Sequence, residues 1–173
     1  GSVKVRTTFQ PDTTLVKSMA RLGLTFEVED AYDHITYLGR GEHETYIDRN
    51  QSGKIGIYET TPERMFHYYV VPQSTGNRTD VRWMKLTDDA GKGCWVESDS
   101  PFQFSTIAFP DVMVEKARHI NELERNGKIT VHLDAKQAGV GTATCGPGVQ
   151  SQYLVPLTKQ TFDFIIYPVK NRE

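Results

Sequence analysis

The densest group of residues that could do chemistry lies in the stretch GRGEHETYIDR. Its charged and titratable members are Arg40, Glu42, His43, Glu44, Asp48 and Arg49. Glu42 and Glu44 could pair as general acid and base, and His43 could join them at a metal ion. The spacing is unspecific, however, because successive residues of a strand point to opposite faces. We favour the alternative, a loop tied by arginine–carboxylate pairs in which Arg40 or Arg49 grips an acid with two hydrogen bonds.

A second unusual stretch is AKQAGVGTATCGPGV, residues 135–149. It holds four glycines, a proline and a cysteine, and it has few side chains that could pack. Strand-like sequence flanks it, ITVHL before and QYLVPL after. Glycine is the usual turn residue, so the local sequence favours a long hairpin connection with two tight turns. A functional loop on a rigid β scaffold is the alternative.

The remaining candidates give weaker signals. Trp83 and Trp95 could each stack on a sugar, but packing in the core is the better interpretation. His119 is expected in solvent, and three further histidines lie in or beside strand-like segments without a nearby nucleophile: His34, His67 and His132. No Ser–His–Asp pattern, phosphate loop or dinucleotide fingerprint is present. The residues alone therefore do not indicate an enzyme.

Alternating hydrophobic residues dominate the segments that must position these groups. The pattern is typical of half-buried strands. The predicted strands are VKVRTTF, LGLTFEV, HITYL, KIGIY, HYYVV, VRWMKL, CWVES, FQFSTI, ITVHL and FDFIIYPV. Many short strands separated by turn signals predict an all-β fold, an antiparallel β-sandwich.

One helix is predicted, over the segment PDVMVEKARHINELER. Asp111 can cap it, and Met113, Ala117, Ile120 and Leu123 fall on one helical stripe. A single helical turn is also expected in TTPERMF, where Pro62 suits a first-turn position.

The composition suits one globular domain with a real core. The chain has 173 residues and a formal charge of −2, with no basic cluster that would indicate nucleic acid and no apolar run long enough to cross a bilayer. The two cysteines, Cys94 and Cys145, show no metal-type spacing, and we do not expect them to pair. Gly1 and Ser2 look like a cloning scar, which leaves residues 3–173 as the single domain.

Several motifs in a fixed order carry a resemblance to a known family. They are YLGRGEHETYIDRNQSGKIGIYE, VPQSTGNRTDVRWM, SPFQFS, HINEL and LDAKQAGVGTATCGPGV. Together they resemble the C-terminal domain, the fifth or small-chain domain, of bacterial β-galactosidases of glycoside hydrolase family 2. The resemblance runs from about Val3 to about Pro168. It implies a large β-sandwich of the galactose mutarotase type, a supersandwich, of which this chain is a truncated part.

The resemblance also implies how the parent enzyme works. Two glutamates on a separate α/β barrel hydrolyse terminal non-reducing β-D-galactose with retention of configuration. Nothing in this chain matches their motifs, so no catalytic residue is assigned here, and Glu42 and Glu44 are not given that role. The parent family often uses Mg and Na ions, but no metal ligand is expected in this chain. The resemblance further implies contact with the barrel, a homo-oligomer as one option, and a bacterial cytoplasmic or periplasmic location that the sequence does not decide.

The glycine-rich stretch matches the family's loop at the mouth of the active site. On that basis Cys145, Gly141 and Gly146 are the expected substrate-binding residues. Some relatives carry, at the position of Cys145, a tryptophan that stacks on the sugar in the leaving-group subsite. Cysteine removes this platform, and a wider, less selective entrance is expected.

Three functions stay open at this point. The first is a non-catalytic β-galactosidase domain that shapes the active-site entrance. The second is a carbohydrate-binding module that holds a sugar through Trp83, Trp95 or its tyrosines. The third is a mutarotase-like epimerase, which would need a histidine and a carboxylate in one concavity.

Overall fold

The computed structural model describes residues 1–12, 16–142 and 145–170. Its strands are β1 (Val3–Phe9), β2 (Ser18–Met19), β3 (Arg21–Glu29), β4 (His34–Gly41), β5 (Lys54–Thr60), β6 (Arg78–Thr87), β7 (Gly93–Ile107), β8 (Lys128–Gln137), β9 (Val155–Pro156) and β10 (Gln160–Val169). The helices are α1 (Pro62–Met65) and α2 (Asp111–Lys116), with 3-10 turns at Ile120–Glu122 and Ser151–Tyr153. The all-β prediction is confirmed.

Strand β7 organises the sheet. The strand order is β1-β10-β7-β6-β4-β5, and all of these pairs are antiparallel. The first half of β7 pairs with β10, whereas residues Gln103–Ile107 pair with β8, which in turn pairs with β3. Pro101, which has no N–H to donate, lies between the two halves. Two segments that the sequence predicts as separate strands, CWVES and FQFSTI, are therefore one strand that changes partners.

The core lies between two parts of this sheet. One part is formed by β3 and β8, and the other includes β4, β6 and β10. Residues of β8 pack with residues of β4, β6 and β10 in one apolar cluster: Ile129, Val131, Leu133, Ile35, Tyr37, Met84, Leu86 and Phe164. Partly buried residues of β3 complete the cluster, namely Leu24, Phe26 and Val28. This packing of sheet against sheet is that of an antiparallel sandwich.

One predicted strand is wrong, and one strand-like segment is extended only in part. The segment HYYVV, residues 67–71, is not a strand, and Val70 within it is 86 % exposed. In the strand-like segment QYLVPL, Gln152 and Tyr153 belong to a 3-10 turn, and only Val155–Pro156 is extended, paired with Ser18–Met19 instead of with β8. Strong β propensity did not decide these segments, because propensity depends on packing partners that the sequence does not reveal.

The predicted long helix is also wrong in extent. Helix α2 ends at Lys116, because Ala117 has extended backbone angles (φ −63°, ψ 135°). The expected cap is wrong as well, since Pro110 occupies the N-cap and Asp111 is the first helical residue. The turn expected in TTPERMF is confirmed as α1, in which Thr61 accepts a hydrogen bond from the Arg64 amide and Pro62 begins the helix.

Candidate functional site

Three connecting segments meet at one end of the sheet. The first, residues 42–53, joins β4 to β5 and carries the cluster of charged residues. The second, residues 66–77, joins α1 to β6. The third, residues 138–142 and 145–150 of the connection after β8, we call the glycine-rich loop. Side chains of the first segment bind both of the others, so these segments form one surface.

Glu44 ties the first two segments together. Its carboxylate accepts hydrogen bonds from the Thr75 hydroxyl (2.8 Å) and the Gly76 amide (3.0 Å), and also from the Tyr69 hydroxyl. Arg49 donates at 2.5 Å to Oε1, the oxygen that Tyr69 also binds, and lies over the Tyr46 ring. The interpretation as a loop tied by arginine–carboxylate pairs is therefore confirmed, but the expected grip through two hydrogen bonds is not seen, since Arg49 gives Glu44 one bond.

The surroundings of Glu44 hold it in the charged state. Burial alone would raise the pKa of its carboxyl group. Hydrogen bonds from Tyr69, Gly76 and Thr75, together with the charge of Arg49, outweigh burial and keep this pKa below its ordinary value. A carboxylate that is ionised and fully engaged by the fold is a structural tie and not a general acid.

The other members of the charged cluster do not join Glu44. Glu42 and His43 are exposed, and the His43 ring contacts the Ser52 hydroxyl at 2.8 Å. Arg40 pairs with Asp80 and donates to the Gly53 carbonyl at 2.8 Å. Within the described part of the chain, no three histidine, cysteine or acidic side chains come together as a group that could hold a metal. The acid–base pair and the metal site therefore gain no support.

The glycine-rich loop is not the hairpin connection that its local sequence favours. Strand β8 ends at Gln137 and does not pair with the extended residues that follow the loop. The loop still contains a tight turn, in which the Cys145 amide donates to the Thr142 carbonyl at 3.1 Å. Its two arms are joined by a bond from the Thr142 amide to the Pro147 carbonyl at 3.0 Å. Ala143 and Thr144 lie outside the described residues.

Asp48 holds this loop against the first segment. One oxygen, Oδ1, accepts from the Val140 amide at 3.1 Å, and Oδ2 accepts from the Gly141 amide at 2.8 Å. Nothing in the local sequence marks this contact, because the partners are more than 90 positions apart. It is the main feature of the site that the sequence did not predict.

The three expected substrate-binding residues take different places on the loop. Gly141 lines a cleft of about 330 Å³, together with Asp48, Arg49, Gln150 and Tyr153. Cys145 and Gly146 do not line this cleft. Both are exposed, and Cys145 is a free thiol. Cys94 is also free and half-buried, and burial raises the pKa of its thiol.

The two tryptophans stack on each other. The rings of Trp83 and Trp95 lie 4.2 Å apart at an interplanar angle of 19°, and both are half-buried. Each indole thus has one face covered by the other. The Trp95 N–H is directed to Glu97 at 3.3 Å. Neither placement in the main core nor a free sugar-stacking platform describes this pair well.

Three described histidines contact carboxylates. His34 with Asp89 and His119 with Glu122 are exposed surface pairs, whereas His132 is buried. His132 contacts the Asp111 carboxylate through Nε2 at 3.1 Å and the Thr25 hydroxyl through Nδ1 at 3.0 Å. The imidazole is only 2 % exposed and both of its nitrogens are engaged, so a sugar could not reach it. The contact with His132 also explains why the pKa of Asp111 lies below its ordinary value. This pair attaches helix α2 to β8 and offers no support for an epimerase.

The fold and this loop surface define an all-β sandwich domain whose polar connections meet at one end. Comparison with known proteins identifies the family. Residues 1–166 match the family described as beta galactosidase small chain, and the chain belongs to that family.

Curated relatives agree with this assignment. A β-galactosidase of Kluyveromyces lactis is 31 % identical over 94 % of this chain and 15 % of its own length. One of Priestia megaterium is 30 % identical over 82 % of the chain and 14 % of its own length. Beta-galactosidase BgaC of Bifidobacterium adolescentis is 35 % identical over 78 % of the chain and 13 % of its own length. The chain thus spans a small part of each relative, and the relatives include a yeast enzyme as well as bacterial ones.

Proposed function

We propose that this chain is a non-catalytic part of a β-galactosidase and that its glycine-rich loop borders the entrance to the active site. The parent enzyme would hydrolyse terminal non-reducing β-D-galactose residues with retention. The chemistry would belong to two glutamates of an α/β barrel on which this domain packs. The observation that carries the proposal is the loop itself: it is fixed to the sandwich by Asp48 and presents Cys145 to solvent.

A loop with these properties suits an entrance. Residues of functional loops are held by a rigid scaffold and face outward, where a second domain and a substrate can reach them. The cleft beside the loop offers the Tyr153 ring, the Arg49 guanidinium and the Gln150 amide, groups that suit a sugar with hydroxyls and an apolar face. Cys145 adds no aromatic platform, so we infer a wide entrance with weak selection among acceptors.

The ions that the parent family uses are not assigned to this chain. Mg²⁺ prefers carboxylate and water ligands in an octahedral arrangement. The described residues contain no group of three acidic, histidine or cysteine side chains that fits such an ion. We propose no ligand for Mg²⁺ or Na⁺ among these residues. No helix in the described ranges is long and apolar enough to cross a membrane.

The test uses Cys145→Trp in the full-length parent enzyme. An aromatic–sugar contact contributes on the order of 1 kcal/mol, which corresponds to about a fivefold change in acceptor binding. The ratio of transfer products to free galactose at fixed lactose should rise by about this factor. Galactosyl transfer from an activated aryl galactoside should change less, because the catalytic glutamates are untouched.

Cys145→Ser is the matched control, since it removes the thiol without adding a ring. It should leave the transfer ratio near that of the wild type. If the tryptophan variant is folded and its ratio is also unchanged, Cys145 does not border the acceptor site and the proposal is wrong.

A further inference from the structure

We propose that Asp48 is a positioning residue, which holds the glycine-rich loop in place and so sets the acceptor selectivity of the parent enzyme. The inference rests on the proposed function for the role of the loop. It adds a residue from a different segment, whose contacts with the loop are at Val140 and Gly141 and not at Cys145. The physical claim about the loop can be tested separately from the claim about selectivity.

The first support is the geometry of the carboxylate. Both oxygens of Asp48 are used, each by one of two successive loop amides, those of Val140 and Gly141. Hydrogen bonds to an ionised acceptor are about twice as strong as neutral ones. Two successive N–H groups form a concave site for an anion, and here the anion is a side chain of the same domain.

The second support is that the loop backbone is shaped for this carboxylate. A Cβ atom at Gly139 would lie 2.4 Å from the Asp48 carboxyl carbon, so the backbone approaches closer than a side chain permits. Gly141 has φ +60°, a left-handed conformation that costs other residues about 1–2 kcal/mol. Two glycines of the loop are thus explained within this chain, by the approach to Asp48 and by the turn of backbone that presents the amides.

The third support is that Asp48 is itself held firmly. It lies in a tight turn closed by two backbone bonds between Tyr46 and Arg49, at 3.2 Å and 2.7 Å. Tyr46 is only 2 % exposed, and Arg49 is fixed by Glu44. Asp48 therefore fastens the loop to a rigid turn at Val140 and Gly141, while backbone bonds from Ala138 to Ala20 and from Gly139 to Tyr153 hold the residues before them.

The consequence for the reaction follows from this arrangement. Both Asp48 oxygens are engaged by loop amides, so we assign the residue to holding the loop and not to the reaction. Removing the carboxylate would loosen the loop and move the surface that contacts an acceptor. The attack on galactose by the nucleophilic glutamate of the barrel would be unchanged. Acceptor use and hydrolysis should therefore respond differently, which a general loss of structure would not produce.

The test measures loop position and acceptor use in the same full-length enzyme. A nitroxide label is attached to Cys145 after Cys94 and any other accessible cysteines have been replaced by serine. Asp48→Ala and Asp48→Asn are compared with the parent, and Asp89→Asn is the matched control. Asp89 is a fully exposed acid, and its partner is His34 on another part of the surface. Electron paramagnetic resonance reports the mobility of the label, and product analysis reports transfer and hydrolysis.

We expect a more mobile label in both Asp48 variants and an unchanged label in the control. The ratio of transfer to hydrolysis should shift by about tenfold, within the ~10²-fold that a 1 Å misplacement of a positioning group can produce. The kcat for an aryl galactoside should stay within about twofold. Cleavage of that substrate is carried out by the glutamates of the barrel, which the Asp48 variants leave in place. Gly139→Ala should reproduce these effects, because it displaces the same carboxylate from the loop side.

Two results would overturn the proposal. An unchanged label in the Asp48 variants would mean that the carboxylate does not hold the loop. A mobile label with an unchanged transfer ratio would mean that loop position does not set selectivity. Cys145→Trp in the same enzyme separates this second case from failure of the proposed function, because that variant alters the ratio only if the loop borders the acceptor.

Discussion

At the scale of single residues, the charged cluster divides into groups with different tasks. Its types and spacing indicated a tied loop, which is what Glu44 and Arg49 form. The partners of Glu44 in the second segment, Tyr69 and Thr75, were not predictable, because they lie 25 and 31 positions away and have no motif of their own. Local sequence thus predicted the kind of interaction but not its members. The same limit applies to Asp48, whose partners are backbone amides that carry no signature in the side-chain sequence.

The first prediction concerns Glu44→Gln. The amide keeps the size of the side chain but loses the charge that its three hydrogen-bond donors and Arg49 stabilise. Hydrogen bonds to charged groups contribute about 1.5–3 kcal/mol, so we expect the free energy of unfolding to fall by about that amount at neutral pH. Urea unfolding of the chain and its variant measures the difference.

The pH dependence gives this prediction a sign. The folded-state pKa of Glu44 lies below the ordinary value of 4.5, so its contribution to stability is present above that pH and is lost as the pH falls through the folded value. The difference between wild type and variant should shrink in acid. Glu42→Gln is the control, since this neighbouring side chain is exposed. Equal losses of unfolding free energy in the two variants would show that Glu44 stabilises the fold no more than an exposed glutamate does.

At the scale of elements, alternating hydrophobic residues predicted most of the strands. They did not predict which neighbouring segments form one continuous strand, or which strand-like segments are not strands. The strand β8 is buried on both faces, and β7 continues through Pro101 where the sequence suggests a break. The predicted long helix ends early because the residues after Ala117 make local side-chain bonds: the Arg118 amide donates to Glu122 at 2.9 Å, and His119 contacts the same carboxylate. Such bonds compete with helix continuation. The helical spacing of the apolar residues gives no sign of this competition.

The second prediction tests the loop as an element, through two of its glycines. Gly141→Ala places a Cβ at positive φ and 2.8 Å from the backbone of Gly148, whereas a Cβ at Gly148 has open space around it. We expect Gly141→Ala to lower the free energy of unfolding by about 1–2 kcal/mol. Gly148→Ala should change it by less than about 0.5 kcal/mol. Urea unfolding of the two variants supplies the comparison, and similar values for both would mean that the loop rearranges without cost and is not fixed by Asp48.

At the scale of the whole molecule, the chain is a sandwich that covers 11–17 % of the length of its β-galactosidase relatives. Length, composition and alternation were enough to predict the all-β class. The family followed from long motifs in a fixed order, which no single pattern of charges could supply. The separation of roles is also visible at this scale: Glu44 and Asp48 bind groups of the fold, and of the described His–Asp contacts the one at His132 is buried whereas the one between His34 and Asp89 is an exposed surface pair. We infer that catalysis in the parent belongs to other parts of the enzyme.

The last prediction follows from that separation. The isolated chain should not hydrolyse a nitrophenyl β-galactoside above the rate of a buffer blank. A retaining glycosidase needs two carboxyl groups about 5–5.5 Å apart, one as the acid and one as the nucleophile. Glu44 is ionised and engaged by Tyr69, Thr75 and Gly76, so it is free for neither task.

Circular dichroism must first show that the chain is folded, and release of nitrophenol is then followed at high protein concentration. A trace of host enzyme is the main source of false activity, and it would be unaffected by a substitution in this chain. Hydrolysis that survives repurification and is lost in Glu44→Gln, but kept in Glu42→Gln, would place a catalytic carboxylate in this domain and contradict the division of labour proposed here.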